Sequence, residues 1–139
     1  MSEHTAEATL VVAAPPERVF DAWIDGSTMS TFMCPIPGGS AKATSSGAVG
    51  GAFIVEMIAP DGTSIAHSGT YSTIDRPRTL AFSWNSPYTH DSIVTLTFTP
   101  QGEGTEVHLV HTGLADAAQA DNHSGGWMAM LQQLDALFR

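Results

Sequence analysis

Between residues 52 and 111 the chain repeats one theme: short runs in which apolar and polar residues alternate, punctuated by tight-turn signals. Residues 52–59 run into Pro60-Asp61-Gly62, whose Asp-Gly pair supplies the positive φ angles of a tight turn. Residues 63–74 return, Asp75-Arg76-Pro77-Arg78 turns again, and residues 79–85 (TLAFSWN) and 92–100 (SIVTLTFTP) follow. Gln101-Gly102-Glu103-Gly104 turns the chain into residues 105–111. Alternation with a period of two is the mark of a half-buried strand. Past residue 116 the period changes. Trp127, Met130, Leu131, Leu134, Leu137 and Phe138 recur at three- and four-residue intervals, which predicts one long helix over residues 116–138 with a single apolar stripe. Gly125 and Gly126 fall inside it at a cost of about 1 kcal/mol each relative to alanine, so a kink there, or a helix that begins in earnest after them, is expected.

The front of the chain reads as a strand over residues 9–14, closed by Pro15 and Pro16. Proline suits the first turn of a helix, where its missing N–H has no partner to lose. Val19, Phe20, Trp23 and Ile24 then predict a helix over residues 16–25, closed by Gly26. A shorter helical stretch over residues 27–32 takes Ser27 as its N-cap. Residues 34–51 are dense in Pro, Gly and Ser and read as a loop with one weak strand at residues 40–45.

Strand, two short helices, meander and long helix together define an α+β chain: a curved antiparallel sheet wrapped around a long C-terminal helix. The 139 residues suit one domain spanning the whole chain. An apolar sheet face must be covered, and the terminal helix is the available cover. One helix cannot fill a strongly curved sheet, so a cavity is expected between them. By alternation its walls are Phe53, Val55 and Met57; His67, Gly69 and Tyr71; Leu80, Phe82 and Trp84; Val94, Leu96 and Phe98; and Val107, Leu109 and His111. Trp127, Met130, Leu131 and Leu134 close it from the helix, and Trp23, Phe32 and His123 are counted among its lining candidates.

Charge narrows the partners. Five Lys+Arg against 14 Asp+Glu give a formal net charge of −9, and the cations are scattered, so nucleic acid and anionic membrane surfaces are poor partners. No apolar stretch is long enough to cross a bilayer. The N-terminal residues lack the basic start and apolar core of a signal peptide, and the one cysteine, Cys34, has no internal partner for a disulfide. Both point to a cytoplasmic protein.

Several segments, taken in order, resemble a known family. They are Pro16-Glu17-Arg18-Val19-Phe20-Asp21-Ala22-Trp23, Phe32-Met33-Cys34-Pro35, Val49-Gly50-Gly51-Ala52-Phe53 and His67-Ser68-Gly69-Thr70-Tyr71. Leu80-Ala81-Phe82-Ser83-Trp84, the run from Gly104 to His111, and His123-Ser124-Gly125-Gly126-Trp127 complete the set. Over nearly its whole length the chain resembles the SRPBCC superfamily (START/Bet v 1-like helix-grip fold), within it the group related to the activator of Hsp90 ATPase. It departs from that pattern at Ala48-Val49, where family members often carry an Arg, and at Phe32, where many have Trp. The resemblance implies the helix-grip fold and a range of activities: ligand carriage, polyketide cyclase- or hydrolase-like catalysis in the same cavity, or an Hsp90-co-chaperone-like interaction. It also implies pairing into a homodimer. Fold is fixed by such a resemblance far better than activity.

Six histidines bring in metal and acid–base chemistry. Zinc sites use close local ligand spacing, and HxxxH, HxH and CxxC are all absent, so neither a metal nor a cofactor is expected. His111 and His123 are expected to bond each other, a backbone group or a water, while His4, His90 and His108 face solvent. Candidate proton-moving groups are His67, Tyr71 and His111. Cys34 has no neighbouring cation or base and reads as a small buried hydrophobe. The leading expectation is a binding module for a small apolar or aromatic molecule.

Overall fold

A computed structural model describes residues 4–139. In chain order the elements are β1 (His4–Val12), α1 (Pro16–Ala22), α2 (Gly26–Phe32), β2 (Ser40–Ser45), β3 (Ala52–Ile58), β4 (Ser64–Asp75), β5 (Thr79–Trp84), β6 (Ser92–Gln101), β7 (Gly104–Leu114) and α3 (Ala117–Leu137). The seven strands form one curved antiparallel sheet in the order β1-β7-β6-β5-β4-β3-β2. Strands 2 to 7 are a plain meander, each hairpin placing a strand beside its predecessor. β1 pairs with β7, so β1 and β2 lie on opposite edges and the chain between them must cross the whole sheet. α1 and α2 make that crossing. α3 lies in the concavity, burying Trp127, Met130, Leu131 and Leu134 against the sheet.

Several boundaries near the start of the chain differ from the sequence reading. β1 begins at His4 rather than at residue 9, because Ala6 and Ala8 continue the inward alternation that Val12 ends. Their small side chains give no hydrophobic signal, yet they are the residues that let α3 pack tightly against this strand. The first helix stops at Ala22, and the cap of α2 is Asp25, not Ser27. The Asp25 carboxylate accepts hydrogen bonds from the Thr28 backbone N–H at 3.1 Å and the Thr28 hydroxyl at 2.6 Å, which together hold its pKa below the usual carboxylate range. Gly26 opens α2 instead of ending α1. A Cβ there would sit 3.1 Å from the Ala43 carbonyl oxygen, a close approach that brings α2 onto β2.

α3 runs unbroken through Gly125 and Gly126. Its N-cap, Asp116, accepts from the Gln119 N–H at 2.8 Å, and the buried stripe that follows offsets the low propensity of the glycine pair. The helix therefore does not wait until after the glycines to begin.

Both sheet edges are covered. On β1 the Glu7 N–H donates to Ser124 Oγ (3.1 Å) and the Ala13 N–H, just past the strand, donates to the Asp135 carboxylate (2.9 Å), both on α3. On β2 the Ala43 N–H donates to Ser30 Oγ of α2 (2.9 Å). Helix side chains thus occupy strand donors that would otherwise be open for pairing with another chain.

Candidate binding pocket

The concave face holds a packed aromatic cluster. Phe53 lies with ring centroids 5.3 Å from Tyr71, 5.1 Å from Phe82 and 5.9 Å from Trp84. Trp84 meets Trp127 edge to face at 4.9 Å, and Trp127 leads on to Trp23 at 6.2 Å and from there to Phe32 at 5.1 Å. These rings fill most of the space that a single helix leaves under a curved sheet. Trp23, Phe32, Phe53, Val55, Tyr71, Phe82, Leu96, Phe98, Leu109 and Leu131, all expected on a cavity wall, are packed into this core.

What remains is a pocket of about 150 Å³. From the sheet it is lined by Met57 on β3, His67 on β4 and Trp84 on β5. From α3 come Asn122, His123, Gly126, Trp127 and Met130, and from the loop after α2 comes Pro35. His123, Gly126, Trp127 and Met130 stand at i, i+3, i+4 and i+7, one face of the helix. Met57, His67, Trp84, Trp127 and Met130 were legible from alternation and helical spacing, while His123 was named as a candidate without either pattern. Gly126 carries the same helical spacing but no side chain to notice. A Cβ there would meet only Pro35, at 3.6 Å, so its absence leaves the helix face open beside the pocket. Pro35 stands in the family-like segment Phe32-Met33-Cys34-Pro35 without being marked as lining, and nothing in the sequence marks Asn122.

The histidines divide by their partners. His111 is fully buried and both its ring nitrogens are engaged. The Trp127 indole N–H donates to Nδ1 at 3.0 Å; an indole only donates, so Nδ1 is the unprotonated nitrogen. Nε2–H then donates to Ser92 Oγ at 2.8 Å, and the Ser92 hydroxyl donates to the Trp84 carbonyl at 2.6 Å. Burial, helped by the nearby His123, pushes the His111 pKa down to about 3. His123 does not bond His111. Their rings meet edge to face at 5.0 Å, and His123 Nδ1 donates to the Gln119 carbonyl at 2.7 Å. His108, expected to face solvent, pairs with Glu7 on the outer face of the sheet.

His67 is different. Its ring stacks on Trp84 at 4.9 Å with 29° between planes, and burial lowers its pKa against the smaller opposing pull of the Val55 and Ile65 carbonyls. Its Nδ1 is buried with no hydrogen-bond partner, and so is the Trp84 indole nitrogen. Two unpartnered buried polar groups therefore belong to residues of the pocket wall, where such groups are ordinarily satisfied. Tyr71, the third candidate proton carrier, lies elsewhere. Its hydroxyl is bonded to Ser45 Oγ at 2.8 Å and donates to the Trp23 carbonyl at 3.4 Å, and burial raises its pKa.

A wider groove of about 680 Å³ between α1, the start of α2 and the end of β2 is open to solvent. Arg18 on its wall stacks over Phe138 at 4.8 Å. Among the described residues no group of three or more His, Cys, Asp or Glu side chains is placed to hold a metal ion, and no helix is long and apolar enough to cross a membrane. Cys34 is buried.

A seven-stranded sheet gripping a C-terminal helix, with a small pocket between them, defines a helix-grip α+β protein. The chain belongs to the family described as activator of Hsp90 ATPase homolog 1-like protein, whose model matches residues 13–139. Its fold is similar to that of protein CV1439 from Chromobacterium violaceum, with 29% identity, coverage of 97% of this chain and 96% of that one, and a TM-score of 0.88. Protein Ms6760 from Mycobacterium smegmatis follows at 24% identity, 97% and 90% coverage and a TM-score of 0.83. The AHSA1-like protein from Aeromonas hydrophila shares the fold at 20% identity, 96% and 93% coverage and a TM-score of 0.79. No curated protein matches the chain.

Proposed function

We propose that this protein binds a small, largely apolar or aromatic molecule in the pocket between β3, β4, β5 and α3. The observation that carries the reading is the pairing of aromatic and thioether walls with unpartnered buried groups on His67 and Trp84. Concave, mostly apolar surfaces with a few polar groups are the ordinary form of a ligand site. Size sharpens it. Drug-sized ligands occupy roughly 300–1,000 Å³, whereas a cavity of about 150 Å³ suits a benzene-sized guest. By volume a single ring is the better match to this pocket.

Catalysis in the same pocket has less support, because His111 is spent on Trp127 and Ser92, and Tyr71 on Ser45 and Trp23. Only His67 among the three candidates lines the pocket.

Native mass spectrometry of the protein purified from its host, combined with thermal shifts against single-ring compounds, tests the reading. A reproducible small adduct, or stabilisation by single-ring compounds that disappears in Gly126→Leu, is the expected result. A protein that carries nothing and responds to no such compound is not a binding module of this kind.

A further inference from the structure

α3 is docked unevenly along its length. Its second part buries Trp127, Met130, Leu131 and Leu134, none of them more than 3% exposed. Two hydrogen bonds reinforce that hold: Gln133 Nε2 donates to the Cys34 carbonyl at 2.9 Å, and the Ala13 N–H donates to the Asp135 carboxylate. Residues 117–126 bury only Ala120, while Ala117, Ala118, Asp121, Asn122 and Gly125 are exposed. The sheet offers this part little to grip. Ser124 accepts from the Glu7 N–H, and the inward residues flanking Glu7 are Ala6 and Ala8. Apolar stabilisation follows the area buried, so small side chains on both sides hold weakly. The remaining links are the Gln119 amide, which donates to the Tyr88 carbonyl at 3.0 Å, and the edge of the His123 ring against His111.

The two parts meet at Gly125-Gly126. Glycine loses more conformational freedom in a helix than any other residue, and it brings no side chain to dock. Ten helical residues are marginal by themselves in water. Segments with few buried apolar contacts are those that open locally at the lowest free energy. The pocket straddles the same boundary: Asn122, His123 and Gly126 are three of the five residues that α3 lends to its wall, Trp127 and Met130 being the others.

We infer that residues 117–126 open as a unit, by local unfolding up to the glycine pair, while residues 127–137 stay docked, and that this opening is the way into the pocket. The role as an entrance rests on the reading of the pocket as a ligand site; the opening itself does not. Opening removes Asn122, His123 and Gly126 from the wall and leaves Trp127 and Met130 in place.

Native-state hydrogen exchange of the full chain, followed by NMR across a series of low denaturant concentrations, is the experiment. The amides of residues 120–126 are expected to share one opening free energy and one shallow denaturant slope. They should exchange at least about a hundredfold faster than those of residues 130–134, whose slope is the steep one of global unfolding. One steep line through both groups overturns the inference, because α3 then opens only as a whole. Amides that each exchange at their own rate, fastest at Ala120 and without denaturant dependence, overturn it as well, since that is fraying from the end. Leu134→Ala should speed exchange at residues 130–133 and leave residues 120–126 within about twofold of wild type; the wild-type series decides even if this variant does not fold. Benzene, a guest of the pocket's size, probes the entrance and is expected to slow exchange at residues 120–126. Benzene that binds and leaves those amides unchanged overturns the entrance. If benzene does not bind, the ligand-site reading is what fails, and the exchange pattern alone decides the opening.

Discussion

The indole N–H of Trp127 on α3 donates to Nδ1 of His111 on β7 at 3.0 Å, and through His111 and Ser92 that bond is continued to the backbone carbonyl of Trp84. Two tryptophans of the pocket lining, one from the sheet and one from α3, are thereby tied together by a chain in which every donor has an acceptor. Each link fixes the next: the indole sets the imidazole tautomer, the imidazole orients the serine hydroxyl, and the hydroxyl closes on the sheet. Such a chain holds its shape only while it is complete.

Ser92→Ala breaks it in the middle, leaving the His111 Nε2–H and the Trp84 carbonyl without the hydroxyl. The expected loss is about 1–3 kcal/mol, the usual cost of a buried unsatisfied group. Denaturant unfolding of the variant and the wild type measures it. A loss within a few tenths of a kcal/mol would show that the chain contributes nothing to stability.

Stability should fall as the pH is lowered from neutrality. His111 resists protonation in the folded protein down to about 3, while an unfolded histidine takes up a proton near pH 6.5, so between these values the unfolded state binds more protons. His67 is shifted in the same direction. Each such group contributes a slope of up to about 1.4 kcal/mol per pH unit, with stability present above pH 6.5 and lost below it. The groups against His111 are Ser92, Trp127 and His123, of which only His123 titrates nearby. The exposed carboxylates Asp25 and Asp61, whose pKa values are lowered by hydrogen bonds to Thr28 and Thr63, add their own loss only as the pH falls below the normal carboxylate value. Unfolding free energies from pH 7.5 to 4.5 therefore read mainly the histidines; a flat profile there contradicts a neutral buried His111.

Two glycines on α3 should be replaceable, and one on β4 should not. Gly125 is exposed with nothing within 4 Å of a built Cβ, so Gly125→Ala is expected to raise stability by about 0.5–1 kcal/mol through helix propensity alone. Gly126→Ala should gain similarly while narrowing the pocket against Pro35. At Gly69 a Cβ would lie 1.8 Å from the Ser83 carbonyl oxygen and 2.6 Å from the Phe53 ring. Gly69→Ala must push strand backbone and core aromatic apart together, and a loss of about 3 kcal/mol or more is expected. Thermal unfolding of the three variants should rank them in that order; a wild-type melting point for Gly69→Ala would contradict the packing described.

At the β1 edge, Asp135→Ala removes the acceptor of the Ala13 N–H as well as the partner of Arg139. A cost of about 1 kcal/mol is expected, with faster hydrogen exchange at the Ala13 amide. Unchanged exchange there would mean that α3 does not guard this edge.

The sequence by itself determined the element order, the meander and the stripe on α3, because alternation and helical spacing are local properties that each segment carries alone. It likewise placed Met57, His67, Trp84, Trp127 and Met130 on inward faces. It did not reveal that Ala6 and Ala8 belong to β1, that Asp25 caps α2, or that α3 runs unbroken through Gly125-Gly126, since those depend on what packs against them. The size of the pocket was beyond it for a deeper reason. A cavity is the small difference between the space a curved sheet encloses and the volume of the side chains turned into it, and alternation reports which way a side chain turns but not how completely its neighbours fill the space. Only the tertiary structure showed that Phe53, Tyr71, Phe82 and Trp23 fill most of that space and that His111 is consumed by Trp127. What they leave is a small pocket beside His67 and Trp84.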